Sequence, residues 1–138
     1  MTTNLLCGSS KDIVKNSIVK QKAFVVNALS QEYHSKLSIP GTCSLGHQRI
    51  ASMTPGRICS EVKQNMNRQV PQLMRYAKQN NIRFSDLPII LYCAHKGCMA
   101  AKRLASHFIK VGFTNLYYYA EGLHGWYGAD TLRDAFST

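Results

Sequence analysis

The most reactive group of side chains in this sequence is the stretch "CAHKGC", which begins at Cys93 and ends at Cys98. Nearby positive charge and a helix N-terminus lower a thiol pKa from about 8.5 into the range of about 3.5–7.5, which makes the thiolate available as a nucleophile. His95 and Lys96 offer such charge, and Gly97 lets the backbone turn without steric cost. We therefore predict that Cys93 is a nucleophile, held as a thiolate at neutral pH.

The same residues leave other roles open. A cysteine after an apolar strand is often a small core residue, because free cysteines are among the most buried residue types. Cys93, His95 and Cys98 could also bind a metal ion, but their spacing is not that of a zinc site and no second ligand pair follows, so we expect no metal. Cys98 is either a resolving thiol for Cys93 or a residue of a first helical turn.

The elements on either side of this stretch explain its position. "LPIILY" (87–92) is apolar on both faces, as in the covered strand of a parallel sheet. From Cys98 to Lys110 apolar residues recur at helical spacing and predict an amphipathic helix that ends at Val111 and Gly112. A turn between a strand and a helix N-terminus gathers unpaired N–H groups and the positive end of the helix dipole, which favours an anion.

Because the turn after Cys93 favours an anion, we predict that it binds the substrate. The predicted binding residues are Ala94, His95, Lys96, Gly97 and Cys98.

Strands and helices alternate along the rest of the chain. The S-x-x-D spacing of Ser9 and Asp12 predicts a helix over 11–19, and Pro71 is placed to open another. Further strands are predicted at 23–27 and 115–120, helical segments at 30–37 and 59–69, and a Gly-rich turn with a short helix at 121–136. The predicted fold class is therefore α/β, with a central, mostly parallel sheet flanked by helices on both faces.

Composition restricts the class of protein. A chain of 138 residues fits one domain, and we place it at 1–138. The five cysteines are odd in number and irregularly spaced, and the first residues show no secretory pattern, so we expect a reducing, cytoplasmic compartment. No apolar run could cross a membrane. The net charge of +10 is scattered, which favours small anions and argues against nucleic acid as a partner.

The segment "IILYCAHKGCMAAKRLASHFIKVGFTNLYYYAEGLHGW" resembles the catalytic half of a rhodanese-like domain, and "FVVNALSQEYHSKLSIPGT" is similar to the family's first-half signature. The resemblance is clearest over 9–130. The positions that match the catalytic-half pattern are Tyr92, Cys93, Gly97, Ala100, Ala101, Leu104, Gly112, Phe113, Asn115, Gly122 and Trp126.

The chain departs from the family pattern in several places. Asn27, Ser38, Thr42 and Glu121 stand where the family usually has Asp, His, Ala and Gly. The loop after Cys93 lacks the customary arginine and is one residue longer before its glycine.

Related phosphatases use a His-Cys-x5-Arg loop, and this chain has Tyr92 and Met99 where the His and the Arg would stand. Without the guanidinium, phosphate loses its main charge partner. The sequence therefore argues against phosphatase activity.

The resemblance implies a sulfurtransferase that moves a sulfane sulfur from a small anionic donor such as thiosulfate to a thiol or cyanide, through a persulfide on Cys93. Backbone N–H groups of 94–98 would hold that persulfide. The resemblance implies no metal or organic cofactor, and a protein thiol or persulfide as a further partner. Two alternatives remain: a non-enzymatic persulfide carrier or interaction module, and a thiol redox sensor that uses Cys93 and Cys98.

Overall fold

A parallel sheet forms the centre of the molecule. The computed structural model describes the backbone of residues 6–7 and all of residues 10–137. The strand order is β1-β5-β4-β2-β3, and every pairing is parallel. The predicted α/β class with a parallel sheet is therefore confirmed. The strands are β1 (Leu6–Cys7), β2 (Phe24–Asn27), β3 (Cys43–Ser44), β4 (Ile89–Tyr92) and β5 (Leu116–Tyr119).

Helices connect these strands and cover both faces of the sheet. A single 3-10 turn, Phe84–Asp86, precedes β4. The α-helices are α1 (Lys11–Val19), α2 (Gln31–Lys36), α3 (His47–Ala51), α4 (Pro55–Gln69), α5 (Pro71–Gln79), α6 (Ala100–Lys110), α7 (Gly122–Tyr127) and α8 (Ala129–Phe136).

Successive strand side chains point to opposite faces and build two separate cores. In β4, Leu91 points to the core that α3, α4, α5 and α6 cover, whereas Ile90 and Tyr92 point to the core that α1, α7 and α8 cover. Cys93 continues this alternation and lies on the same face as Leu91. The predicted helices on both faces of the sheet are confirmed.

The sequence places most elements correctly, and the differences have local reasons. Helix α1 has its predicted bounds, but its cap is Ser10, whose Oγ accepts a hydrogen bond from the Ile13 N–H at 3.2 Å; Ser9 lies outside the described residues. Helix α4 begins earlier than predicted, at Pro55, because Thr54 caps it through the Arg57 N–H at 3.2 Å.

Further differences concern short elements. Strands β1 and β3 have two residues each and were not predicted, and neither was α3. The segment predicted as a Gly-rich turn contains helix α7 instead. Helix α6 begins at Ala100, two residues later than predicted, which keeps Cys98 in the loop.

The topology places one crevice beside Cys93. The connection from β2 leads outward to β3, whereas the connection from β4 leads the other way to β5, so the sheet order reverses between β2 and β4. In open α/β sheets, ligands bind at the carboxyl ends of the strands at such a reversal. Asn27 and Tyr92 lie opposite each other in register, so both strands end at this crevice.

Among the described residues, no helix combines the length and the apolar character that crossing a bilayer requires.

Candidate active site

The end of β4 is fixed by a buried hydrogen-bond network. The Tyr92 hydroxyl accepts from the Ile39 N–H at 3.1 Å and lies 2.8 Å from the Thr42 Oγ1. Because the Thr42 hydroxyl donates to the Ile39 carbonyl at 2.7 Å, it must accept its hydrogen bond from Tyr92. The threonine that departs from the family pattern therefore anchors the strand that ends at Cys93.

The residues after the strand, 93–99, form a tight turn that we call the Cys93 loop. The Cys98 N–H donates to the His95 carbonyl at 3.0 Å, and the Gly97 N–H donates to the His95 Nδ1 at 3.0 Å. These bonds fold Cys98 back over Cys93, whose Sγ lies 3.4 Å from the Cys98 carbonyl oxygen. Cys93 is only 1% exposed, whereas Cys98 is half-buried.

Helix α7 holds the other side of the Cys93 loop. The Leu123 N–H donates to the Cys93 carbonyl at 3.0 Å, and the His124 N–H donates to the Ala94 carbonyl at 2.9 Å. Gly122, which opens α7, has φ +55°, and a Cβ at this position would overlap the Cys93 carbonyl oxygen. With their carbonyl groups bound to α7, these loop residues have their N–H groups free for the opposite side.

Backbone N–H groups of the loop and of α6 act on the two sulfur atoms. Those of Ala94 and Ala101 favour the ionised form of Cys93, and those of Ala94 and Ala100 favour the ionised form of Cys98. Ala100 and Ala101 belong to the first turn of α6, whose N-cap residue, Met99, provides no side-chain hydrogen bond. The first N–H groups of α6 are therefore available to a negative charge on sulfur.

The two thiols do not ionise alike. The Cys93 thiol, as hydrogen-bond donor, lowers the pKa of Cys98 to about 5; partial burial opposes this effect, and the N–H groups of Ala100 and Ala94 assist it. The hydrogen bond with Cys98, and then burial, raise the pKa of Cys93 above its ordinary value. These directions favour the negative charge of the free pair on Cys98, the more exposed partner, whereas the sequence predicted a Cys93 thiolate.

A cluster of basic side chains lies near Cys98. His47, at the start of α3, is within electrostatic range of Cys98 and also of Arg103 and His107 of α6. Burial, followed by the charge of Arg103, lowers the pKa of His47. The sequence predicted no partner for either histidine. The signal available was the i, i+4 spacing of Arg103 and His107, which places both on one helix face.

A polar cleft of about 680 Å³ opens at the carboxyl ends of β2 and β3. His47 lines this cleft and is within electrostatic range of Cys98, so the cleft lies on the Cys98 side of the Cys93 loop. Arg49, which also lines it, is paired with Glu61 at 2.8 Å. Arg68 lines the same cleft. Residues 42–70, which carried no recognisable motif, therefore form its wall.

The predicted binding residues do not all face the sulfur atoms. Ala94 does, through its N–H group. The N–H groups of Gly97 and Cys98 are used within the turn, and the Lys96 Nζ lies 3.8 Å from the Glu121 carboxylate on the surface. Gly97 lies in the turn, as predicted, but does not adopt positive φ; a Cβ there would lie 3.2 Å from the His95 ring.

Metal binding would require the side chains of Cys93, His95 and Cys98 to surround one ion. The His95 Nδ1 accepts the Gly97 N–H, so the ring is bound to its own turn. Over residues 10–137, no group of three or more His, Cys, Asp or Glu side chains is arranged to hold a metal ion.

Comparisons with known proteins agree with this architecture. The profile of the Rhodanese-like domain matches residues 10–129. Among solved structures, an uncharacterized protein from Saccharomyces cerevisiae is similar, with a TM-score of 0.60 and 17% identity over 90% of this chain and 92% of that one. The human single-domain sulfurtransferase TSTD1 is similar with a TM-score of 0.53 and 14% identity over 86% and 92%. The search of curated proteins gave no match. Because the profile covers most of its length, this chain belongs to the rhodanese-like domain family.

Proposed function

We propose that this protein is a sulfurtransferase that takes a sulfane sulfur from a small anionic donor such as thiosulfate. The sulfur is carried as a persulfide on Cys93 and passed to a thiol or to cyanide. The family includes sulfurtransferases, and the fold is shared with the human single-domain sulfurtransferase named above. The observation that carries the proposal is the position of Cys93 at the end of β4, directly before the N-terminus of α6, where the N–H groups of Ala94 and Ala101 favour the ionised form of its sulfur.

Such a position suits a persulfide. The N–H groups of Ala94, Ala100 and Ala101 favour negative charge on the two sulfur atoms, at the positive end of the α6 dipole. A terminal persulfide sulfur carries negative charge and lies one bond farther from the Cys93 Cβ than the thiol sulfur does. It can therefore accept hydrogen bonds from the N–H groups that favour the Cys98 thiolate before sulfur is loaded.

Loading requires Cys93 to give up its proton. Cys98 is placed to take this proton, because the two thiols are in hydrogen-bond contact and Cys98 carries the charge. As the proton passes to Cys98, the Cys93 sulfur attacks the outer sulfur of thiosulfate. The S–S bond of the donor breaks, its electron pair leaves with sulfite, and Cys93 keeps the sulfane sulfur.

Arg103 supplies positive charge near the loop. It is within electrostatic range of His47, which is also within range of Cys98. A cation at this position attracts an anionic donor and stabilises the sulfite that leaves. Arg103 thus replaces the missing loop arginine from the body of α6.

The second half-reaction needs access for the acceptor. The polar cleft of about 680 Å³ shares His47 with the site and is large enough for a thiol with polar substituents. An acceptor thiolate there attacks the terminal sulfur, and the electron pair of the broken S–S bond returns to Cys93.

The test is a rapid-mixing experiment with thiosulfate, in which released sulfite is measured and cyanide is then added to convert transferred sulfur into thiocyanate. We expect a burst of sulfite and steady thiocyanate production. Cys93→Ser should give neither. Cys59→Ser, which removes a thiol on α4 away from the loop, is the matched control and should behave as the wild type.

The outcomes separate the alternatives. A sulfite burst with no thiocyanate, while the intact mass shows that the chain keeps one extra sulfur atom, would favour a persulfide carrier over an enzyme. No burst in the wild type, with Cys93 shown by alkylation to be reduced, would overturn the proposal and leave the redox-sensor alternative.

A further inference from the structure

The tight turn of the Cys93 loop places a second thiol against the first. Cys93 and Cys98 are five residues apart, yet the turn closed at His95 brings Cys93 Sγ to 3.4 Å from the Cys98 carbonyl oxygen. The Cys93 thiol also lowers the pKa of the Cys98 thiol, as expected for two sulfur atoms that lie side by side. Once Cys93 is loaded, the same contact places the Cys98 sulfur beside the inner sulfur of the persulfide.

The two sulfur atoms differ in access and charge. Cys93 is 1% exposed, so an external thiol reaches its inner sulfur poorly. Cys98 is half-buried, and the N–H groups of Ala94 and Ala100 favour its ionisation, which eases the passage of its proton to the terminal sulfur. The thiolate, and not the thiol, is the species that attacks a disulfide-type bond, and its rate depends on access to the sulfur that is attacked.

We propose that Cys98 resolves the persulfide on Cys93, so that the protein releases hydrosulfide from its sulfur donor and is left with a Cys93–Cys98 disulfide. This inference rests on the proposed function. Cys98, which holds the proton taken from Cys93 during loading, attacks the Cys93 Sγ as that proton passes to the terminal sulfur of the persulfide. A new S–S bond forms between the two cysteines, the persulfide S–S bond breaks, and its electron pair leaves with the terminal sulfur as HS⁻.

The reaction balances without an external oxidant. Thiosulfate and two thiols give one disulfide, sulfite and hydrogen sulfide, so the sulfane sulfur is reduced while the two cysteines are oxidised. Turnover then requires a dithiol reductant, which returns both cysteines to thiols. The exposed residues His95, Lys96 and Gly97 lie between the two cysteines, so the turn can adjust to disulfide geometry without disturbing the core.

The other two described cysteines do not share this arrangement. Cys43 is buried in β3, where burial raises its pKa to about 12, so it stays a thiol. Cys59 lies on α4, outside the Cys93 loop. Cys98 is therefore the thiol that can reach Cys93.

The test is a single turnover with thiosulfate under anaerobic conditions, with no added thiol or cyanide. Sulfite and hydrosulfide are measured separately, and the intact mass of the chain is recorded. The wild type should release both products and lose two hydrogen atoms in mass. Cys98→Ser should release sulfite, retain one extra sulfur atom on Cys93 and give no hydrosulfide. Cys59→Ser should match the wild type.

One result would contradict the role of Cys98, and another would contradict the proposed sulfurtransferase function. If the wild type releases sulfite but keeps the extra sulfur as a stable adduct, Cys98 does not resolve the persulfide, and only this inference fails. If neither the wild type nor Cys98→Ser releases sulfite, the proposed function itself fails. Adding dithiothreitol after the turnover should reduce the disulfide, so that the wild type releases a second burst of sulfite. If a thiol had been lost to irreversible oxidation, no second burst would follow.

Discussion

Gly122 lies directly against the carbonyl group of Cys93. A side chain at this position would overlap the Cys93 carbonyl oxygen and the carbonyl carbon of Ala94, and φ of Gly122 is +55°. This close approach allows the Leu123 and His124 N–H groups to bind the two loop carbonyls. Helix α7 thus fixes the orientation of the peptide groups that carry the N–H groups around the sulfur.

Gly122→Ala should disrupt the site more than the fold. The alanine Cβ would push the Cys93 loop away from α7, in addition to the backbone strain of about 1–3 kcal/mol that a left-handed residue costs. We expect a lower free energy of unfolding in urea and loss of the sulfite burst with thiosulfate. Gly112→Ala is the matched control, because Gly112 has φ +104° but open space around it. It should lose stability and keep the burst; loss of the burst in both variants would contradict this role of α7.

The sequence predicts the position of the site better than it predicts which backbone N–H groups lie near the sulfur atoms. The apolar run that ends at Tyr92 and the periodic helix after it are long-range signals, and they place Cys93 correctly at a strand end. Strands of two residues such as β1 and β3 have no period to detect, since pairing with neighbours defines them.

The direction of N–H groups depends on where a helix begins, and a helix boundary shifts by a residue or two without changing its periodicity. This shift explains why Ala100 and Ala101 were missed while Gly97 was expected to contribute. One signal was present: Met99 cannot cap a helix, so the next N–H groups need another acceptor. The ionisation of Cys98 follows from a tertiary contact, which the sequence does not reveal.

Tyr92→Phe should destabilise the end of β4. The hydroxyl is fully buried and links the Ile39 N–H to the Thr42 hydroxyl, so its removal leaves a buried donor without a partner. Such a loss costs about 1–3 kcal/mol, which urea unfolding would measure. Tyr76→Phe, at a side chain 54% exposed, should change stability by less than about 0.5 kcal/mol. Equal effects of the two substitutions would show that the network does not stabilise the fold.

Arg103→Ala should weaken the binding of the anionic donor. Arg103 is exposed and lies within electrostatic range of His47 beside the site, and an exposed charge interaction is worth about 0.2–1 kcal/mol, or up to about fivefold in KM for thiosulfate. Lys110→Ala removes the same charge from the end of the same helix and should leave KM unchanged. Because ions screen such interactions, added salt should reduce the difference between wild type and Arg103→Ala. A similar rise in KM for both variants would instead indicate an effect of net charge.

Cys98→Ser should change the pH dependence of loading. In the wild type, the pair of thiols loses its first proton with the Cys98 pKa of about 5, so the sulfite burst rate should rise near pH 5 and stay level through neutral pH. In the variant, Cys93 must ionise without a base beside it, and burial raises its pKa above the ordinary 9.0. Below that pKa the thiolate fraction falls about tenfold for each pH unit, so the burst rate should rise steeply between pH 6 and pH 9. Stopped-flow detection of sulfite across this range distinguishes the two profiles. Cys59→Ser should keep the level profile, and a level profile in Cys98→Ser would mean that Cys93 ionises without help from Cys98.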